Sequence, residues 1–283
     1  MMETAPGAEV IINGRRLIYF GGTGYFGLQG HPEVIKAGIE AFRQYGVHVA
    51  TSRISFGNNP VLLTLEKKIA DFFGTEAAIY LASGYFINLT LVQGLSHLYE
   101  KIYMDELAHF SIRDAVYSAR KPVLTFRHRD PEDLKKKIRA ELKANERPLV
   151  ITDGLFPIFG SLAPVEAYLP LIEEYNGLLC LDDAHAVGIL GPKGRGTFDY
   201  FGLKGDRLFF GATLSKAFGG YGGFIPGTRD FLEKVRLTVG VYKGATPAPT
   251  PIAAATLKAI DLVAQHPEWR ETVSYTHLTL PTS

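Results

Sequence analysis

Two periodicities alternate along most of the chain. Leu62, Leu65, Ile69, Phe72 and Phe73 fall mostly three or four positions apart, the spacing that predicts an amphipathic helix, and Gly74 supplies its stop. Directly after it, Ala78-Ile79-Tyr80-Leu81 is a short unbroken apolar run, followed by Ser83-Gly84 and a further helix. Similar runs recur at Lys101–Met104, Val123–Phe126, Leu149–Thr152, Leu178–Leu181 and Leu208–Gly211, with helical segments between them, notably Asp133–Leu142 and Leu169–Tyr175. Nearly continuous apolar runs mark strands buried on both faces, as in a parallel sheet covered by helices. Strand–helix alternation of this kind predicts an α/β fold with an open, mostly parallel sheet.

The flanks read differently. Residues 1–20 predict an arm, with a turn at Asn13-Gly14 and an extended Leu17-Ile18-Tyr19-Phe20. A glycine-rich stretch (Gly21, Gly22, Gly24, Gly27) leads to a helix after Pro32. Near the other end, one long helix containing Ala253–Ala264 is predicted to run to Trp269-Arg270-Glu271. The run from Ser274 to Ser283 has neither helical spacing nor the expected polarity and reads as a non-native tail or a natural disordered terminus. The expected organisation is an arm and first helix over 1–45, a large domain over 46–250, the start of a linker helix over 251–272, and the tail over 273–283.

Composition narrows the class. Lys and Arg number 30 against 29 Asp and Glu, so no global charge argues for nucleic acid or an anionic membrane. No stretch approaches the roughly 20 apolar residues of a membrane span, and the N-terminus carries no basic, apolar leader pattern. The single cysteine, Cys180, has no internal partner, which fits a reducing cytoplasm; it sits in an apolar strand and reads as a core residue. The eight histidines do not cluster with carboxylates or Cys at ligand spacing, so no metal is expected.

The chemistry lies at two strand ends. Leu181-Asp182-Asp183-Ala184-His185 follows one apolar run, and Gly211-Ala212-Thr213-Leu214-Ser215-Lys216 follows another. Open α/β sheets bind ligands beyond the carboxyl ends of their strands. A lysine and an acid brought to one crevice are what pyridoxal 5'-phosphate (PLP) requires: an amine to take the aldehyde as a Schiff base, and a carboxylate to keep the ring nitrogen protonated. Either residue alone would read as a surface lysine or a helix cap. Paired, and with Ser/Thr before the lysine and Gly219-Gly220 after it, they read as a PLP site.

Further segments sharpen the picture. Ser83-Gly84-Tyr85-Phe86-Ile87-Asn88 resembles a Ser-Gly-Tyr-x-Ala-Asn turn, Asp105-Glu106-Leu107-Ala108-His109-Phe110-Ser111 an Asp-x-x-x-His-Ala-Ser motif, and Asp182-Asp183-Ala184-His185 with Gly194-Arg195-Gly196 an Asp-Glu-Ala-His…Gly-Arg-Gly pattern. From about Leu17 to about Glu271 the chain resembles the α-oxoamine synthase family of fold-type-I PLP enzymes. That resemblance implies Lys216 as the Schiff-base lysine and later proton-transfer base, Asp182 opposite the pyridine nitrogen, His185 near the phenolic oxygen and His109 stacked on the ring. Ser83, Gly84, Tyr85 and Thr213 would hold the phosphate, the first three at a helix start. Thr246 would reach the phosphate of a neighbouring subunit in a homodimer with shared sites. The implied reaction is acyl transfer from an acyl-CoA to an amino acid, with decarboxylation.

Several positions depart from the family pattern. Thr23-Gly24-Tyr25-Phe26-Gly27-Leu28 stands for Asn-Asp-Tyr-Leu-Gly-Leu, Val47-His48-Val49-Ala50 for a Gly-Ser-Gly segment, Gly57-Asn58-Asn59-Pro60 for Gly-x-His-Pro, and Asp153-Gly154-Leu155-Phe156-Pro157-Ile158-Phe159-Gly160 for Glu-x-x-Phe-Ser-Met-Asp-Gly. Pro157 has no side-chain donor where the family has a serine. The changes spare the cofactor residues and fall around the substrate. The family's small C-terminal domain, with its carboxylate-binding arginine, is expected to be missing. Aminotransfer on the same cofactor is the alternative reaction, and a non-catalytic subunit of the same fold the alternative class. The glycine-rich run Gly188–Gly196 suggests a nucleotide loop only weakly, since it lacks Gly-Lys-Ser/Thr and contains Pro192.

Overall fold

The computed structural model describes residues 1–279. In chain order the strands are β1 (Glu9–Ile12), β2 (Arg15–Ile18), β3 (Ala77–Leu81), β4 (Lys101–Asp105), β5 (Val123–Phe126), β6 (Pro148–Asp153), β7 (Leu155–Phe156), β8 (Ser161–Leu162), β9 (Leu178–Asp182), β10 (Leu208–Thr213) and β11 (Gly223–Gly227). The helices are α1 (Pro32–Tyr45), α2 (Pro60–Phe73), α3 (Phe86–Gly94), α4 (Phe110–Ser118), α5 (Pro131–Glu141), α6 (Val165–Glu174), α7 (Thr197–Tyr200), α8 (Arg229–Thr238), α9 (Gly240–Gly244), α10 (Thr250–Gln265) and α11 (Glu268–Thr279).

Seven strands form the central sheet in the order β3-β11-β10-β9-β6-β4-β5. The pairs β4/β5, β4/β6, β6/β9 and β9/β10 are parallel, and β11 runs antiparallel to both of its neighbours. Six strands therefore point the same way. The chain winds outward from β4 to β5, then returns to place β6, β9 and β10 on the other side of β4. This reversal opens a crevice at the carboxyl edge. The expected α/β class and mostly parallel sheet are what the structure has.

Both faces of the sheet are covered, which explains the unbroken apolar runs. Val150, Leu179 and Leu181 pack with Leu134, Ile138 and Ile172 on one face. Their strand neighbours Leu149, Ile151 and Cys180 pack with Ile112, Ala115 and Val116 on the other. Successive strand residues alternate faces, so a strand with helices on each side has no polar positions to spare. Helix α2 shows the local logic: Asn59 caps it by accepting from Leu62 N at 3.0 Å, Pro60 opens it, and Gly74 ends it in the left-handed conformation at φ 68°. Its Glu66, nearly buried, pairs with Arg53 and also accepts the Tyr80 N–H at 2.8 Å, tying α2 to β3.

Three features differ from the sequence reading. The arm turns at Asn13 and Gly14 as expected, both at positive φ, but its limbs pair as a hairpin, β1 with β2, and the second strand is Arg15–Ile18 in place of Leu17–Phe20. Strand β11 lies inside the sheet although Gly223-Phe224-Ile225-Pro226-Gly227 carries two glycines and a proline. Pairing with β10 covers only Phe224 and Gly223, so Pro226 lies beyond it and needs no donor on that side. The long terminal helix is interrupted: α10 stops at Gln265, His266 leaves the helical conformation at φ −122° and ψ 64°, and α11 starts after Pro267. Proline lacks an N–H and biases the residue before it away from helix, which the apolar spacing alone does not reveal. Helix α11 runs to Thr279, and residues 280–283 of the expected tail lie outside the described residues.

Candidate active site

The parallel strands end at one edge, and their last residues begin the site. Asp153 closes β6, Asp182 closes β9 and Thr213 closes β10; Ser83-Gly84 follows β3, and His109 follows β4 as the N-cap of α4. The candidate residues Ser83, Gly84, Tyr85, His109, Asp182, His185, Thr213 and Lys216 all line one cavity of about 250 Å³, together with Ser111, Asp153, Ala184 and Ser215. Thr246 does not. It sits exposed in the loop between α9 and α10, away from this cavity.

Lys216 and His185 form the centre, with Lys216 Nζ 2.7 Å from His185 Nε2. Burial pulls the lysine pKa down, against the charges of Asp182 and Asp153, which pull it up. Burial also pushes His185 down to about 3, with the Lys216 charge adding to it, so the imidazole is neutral. On its far side His185 Nδ1 lies 2.9 Å from the Tyr25 hydroxyl.

Asp182 is embedded in donors. Asn88 Nδ2 donates to its Oδ2 at 2.7 Å, Ser111 Oγ approaches the same oxygen at 3.4 Å, and Ala184 N donates to Oδ1 at 3.2 Å. Asn88 also donates to Ser111 Oγ at 3.0 Å, and Ser111 Oγ lies 2.7 Å from His109 Nδ1. This chain fixes the His109 ring and the carboxylate in one frame. Asp153 adds a second acid: its Oδ2 accepts the His109 N–H at 2.8 Å, and its pKa lies well above the usual carboxylate range through burial and the nearby Asp182 charge. Asp183, by contrast, turns away and bonds Thr197 through its N–H and hydroxyl at 2.7 and 2.5 Å. It is a buried structural acid, pushed up to about 7 by burial.

The other end of the cavity is a glycine turn at a helix start. Ser83 and Gly84 lead into α3 and tie its start, with Tyr85 N donating to Ser83 Oγ and the Phe86 and Ile87 N–H groups donating to the Ser83 and Gly84 carbonyls, each at 3.2 Å; the positive end of the helix dipole lies at this turn. A Cβ at Gly84 would sit 2.8 Å from Cβ and Oγ1 of Thr213, so only glycine lets the turn close on β10. Thr213 Oγ1 meets Ser215 Oγ at 2.8 Å, adding hydroxyls beside the turn.

Tyr25, Asn88, Ser111 and Asp153 belong to the site, and reading for a lysine–acid pair did not single them out. All four lay within the quoted motifs, but their roles depend on which chain segments meet. Other candidates resolve into local contacts. Arg195 donates to the Phe72 carbonyl at 2.6 Å, Cys180 is fully buried, and the run from Gly188 to Gly196 closes on itself through Gly188 N to Gly194 O at 2.8 Å. No group of three or more His, Cys, Asp or Glu is arranged to hold a metal among the described residues.

These residues fit PLP: a buried amine, a carboxylate and two histidines lining one cavity, with a glycine turn and the Thr213 and Ser215 hydroxyls beside it.

Comparison with known proteins agrees. A family described as Aminotransferase class I and II matches residues 17–276. The chain is 35% identical to 8-amino-7-oxononanoate synthase of Thermoanaerobacter pseudethanolicus over 94% of this chain and 67% of the relative. It is 33% identical to 8-amino-7-oxononanoate synthase 1 of Bacillus subtilis over 95% of this chain and 69% of the relative. A high-resolution structure of serine palmitoyltransferase with PLP as its internal aldimine superposes with a TM-score of 0.89 at 30% identity, covering 95% of this chain and 67% of that one. The chain thus spans about two thirds of the length of the proteins it matches.

Proposed function

The chain belongs to the class I and II aminotransferase family, in its α-oxoamine synthase branch, and on that premise we propose that it is a PLP-dependent acyltransferase joining an amino acid to an acyl thioester, with acyl-CoA as the thioester. The observation that carries the reading is the pairing of Lys216 and Asp182 in one cavity at the carboxyl edge of the sheet.

In this reading Lys216 would anchor the cofactor aldehyde, Asp182 would pair with its ring nitrogen, His109 would stack on the ring and His185 would serve its phenolic oxygen. Ser83, Gly84, Tyr85 and Thr213 hold the phosphate. When bound, PLP supplies an electron sink for a carbanion at the amino-acid Cα. The protein supplies the rest. Burial lowers the proton affinity of Lys216 Nζ, so the amine can take up a Cα proton and give it back. The Asn88 and Ala184 donors keep the Asp182 carboxylate from rotating, and the Ser111 link keeps the His109 ring flat against its position. A homodimer is part of the proposal, with exposed Thr246 completing the phosphate pocket of the partner subunit. So are residues 46–250 as the cofactor-binding domain and a cytoplasmic setting. Among the described residues no helix is long and apolar enough to cross a membrane.

The test is direct. Purified protein given PLP should develop an imine absorbance band that borohydride bleaches, with the label on Lys216. Candidate amino acids with an acyl-CoA should then release free thiol. Pyridoxamine phosphate accumulating from an amino donor alone would point to aminotransfer instead. No band and no borohydride response would leave a non-catalytic subunit of the same fold.

A further inference from the structure

The hydrogen bonds of the cavity also lead outward, to a residue that does not line it. His185 is held through both ring nitrogens, with Lys216 Nζ 2.7 Å from Nε2 and Tyr25 Oη 2.9 Å from Nδ1. The ring is buried and neutral, so it carries one N–H and one lone pair. A lysine ammonium only donates. Facing it, Nε2 must accept, which places the imidazole proton on Nδ1 and makes Tyr25 Oη the acceptor. Once Lys216 has lost its proton or turned to another partner, the opposite tautomer serves: Tyr25 O–H donates to Nδ1, and Nε2–H points into the cavity. A phenol both donates and accepts, so one side chain supports both arrangements. Phenylalanine supports neither.

The phenol is well placed for this. Tyr25 sits between β2 and α1, in a turn closed by Gly27 N to Gly24 O at 2.9 Å. Its neighbour Phe26 packs against Trp269 with ring centroids 5.9 Å apart, and Leu28 is fully buried. Burial raises the Tyr25 pKa, which keeps the hydroxyl protonated. The charged or titratable groups facing His185 are Lys216, His109 and Tyr25, and Lys216 faces Asp182 and Asp153 in turn.

We propose that Tyr25 is a positioning residue whose hydroxyl holds the His185 ring and lets its proton sit on either nitrogen, so that Nε2 accepts from Lys216 in one state and donates into the cavity in the other. This rests on the reading of Lys216 as cofactor anchor and adds a residue from the N-terminal segment to the machinery.

The experiment is ¹⁵N NMR of histidine-labelled protein, with and without PLP, the His185 signals assigned through His185→Gln. Without PLP the wild type should show Nδ1 in the protonated range and Nε2 in the unprotonated range. Tyr25→Phe keeps the ring packing but leaves Nδ1–H without its acceptor, so the His185 Nδ1 signal should shift while Nε2 stays unprotonated opposite Lys216, with PLP affinity falling about two- to tenfold and the circular-dichroism spectrum unchanged. His185 shifts that coincide in Tyr25→Phe and wild type overturn the proposal. Should Tyr25→Phe fail to fold, 3-fluorotyrosine placed at position 25 keeps the ring and acidifies the phenol. The His185 Nδ1 signal should then shift, and an unmoved signal overturns the proposal equally. Lys216→Arg separates the premise: an imine band that survives it removes the anchor reading and leaves the tautomer result standing.

Discussion

Replacing Asn88 with Asp tests the frame around Asp182 most sharply. Asn88 Nδ2 donates to Asp182 Oδ2 at 2.7 Å, and both side chains are buried. The substitution keeps the shape and puts a second carboxylate at that contact. Two unit charges about 3 Å apart at an effective dielectric constant near 20 repel by about 5 kcal/mol, equivalent to about four pH units of proton affinity. One proton is therefore trapped between the two carboxylates at neutral pH, and the pair can no longer stabilise a protonated ring nitrogen as a lone carboxylate would. Asn88→Leu is the control. It removes a hydrogen bond to a charged group, about 1.5–3 kcal/mol, without adding charge, so PLP affinity should fall roughly ten- to a hundredfold. Asn88→Asp should fall further, and its loss should shrink as the pH is raised through the titration of the trapped proton. Spectrophotometric PLP titrations of both variants, with circular dichroism to confirm folding, give the comparison. If Asn88→Asp binds PLP within threefold of wild type, or no worse than Asn88→Leu, the electrostatic argument for Asp182 is refuted.

Two further outcomes follow from the geometry. Gly84→Ala drives a methyl group to 2.8 Å from Thr213, an overpacking of about 1–3 kcal/mol; PLP affinity should drop about tenfold or more while far-UV circular dichroism stays native, and unchanged affinity would contradict the turn's role. For His185, the folded pKa of about 3 lies below its ordinary 6.5, so the folded state binds fewer protons than the unfolded one. That contribution to stability is complete above pH 6.5 and is lost as the pH falls toward 3, amounting to about 2–3 kcal/mol at pH 4.5. The drop in Tm between pH 7 and 4.5 should be smaller in His185→Gln than in wild type, and equal drops would refute the assignment.

The parallel strands and the pairing of Lys216 with Asp182 were legible because each is a local pattern: an apolar run buried on two faces, then polar residues at its end. β11 was not, because two glycines and Pro226 mask a strand that owes its place to β3 and β10 rather than to its own residues. The break at His266 was hidden by apolar spacing that continues on both sides of Pro267. Tyr25 stood in a segment read for its departures from a family pattern, and its partner lies 160 positions away, so nothing local gave that tyrosine a role. Asp153 stood in view as a motif residue, yet its raised proton affinity depends on Asp182 at the end of the next strand.

The antiparallel insertion of β11 has a bearing on how the molecule comes into being. Among the described residues the strand at 77–81 has only that insertion as its neighbour in the sheet, so during synthesis it waits for about 140 residues of later chain to leave the ribosome. The five central-sheet strands between 101 and 213 can meanwhile join in order of emergence, while the apolar edge at 77–81 stays open and exposed to chaperones or to other nascent chains. Closure of the Ser83-Gly84 turn that follows it is accordingly among the last events of assembly.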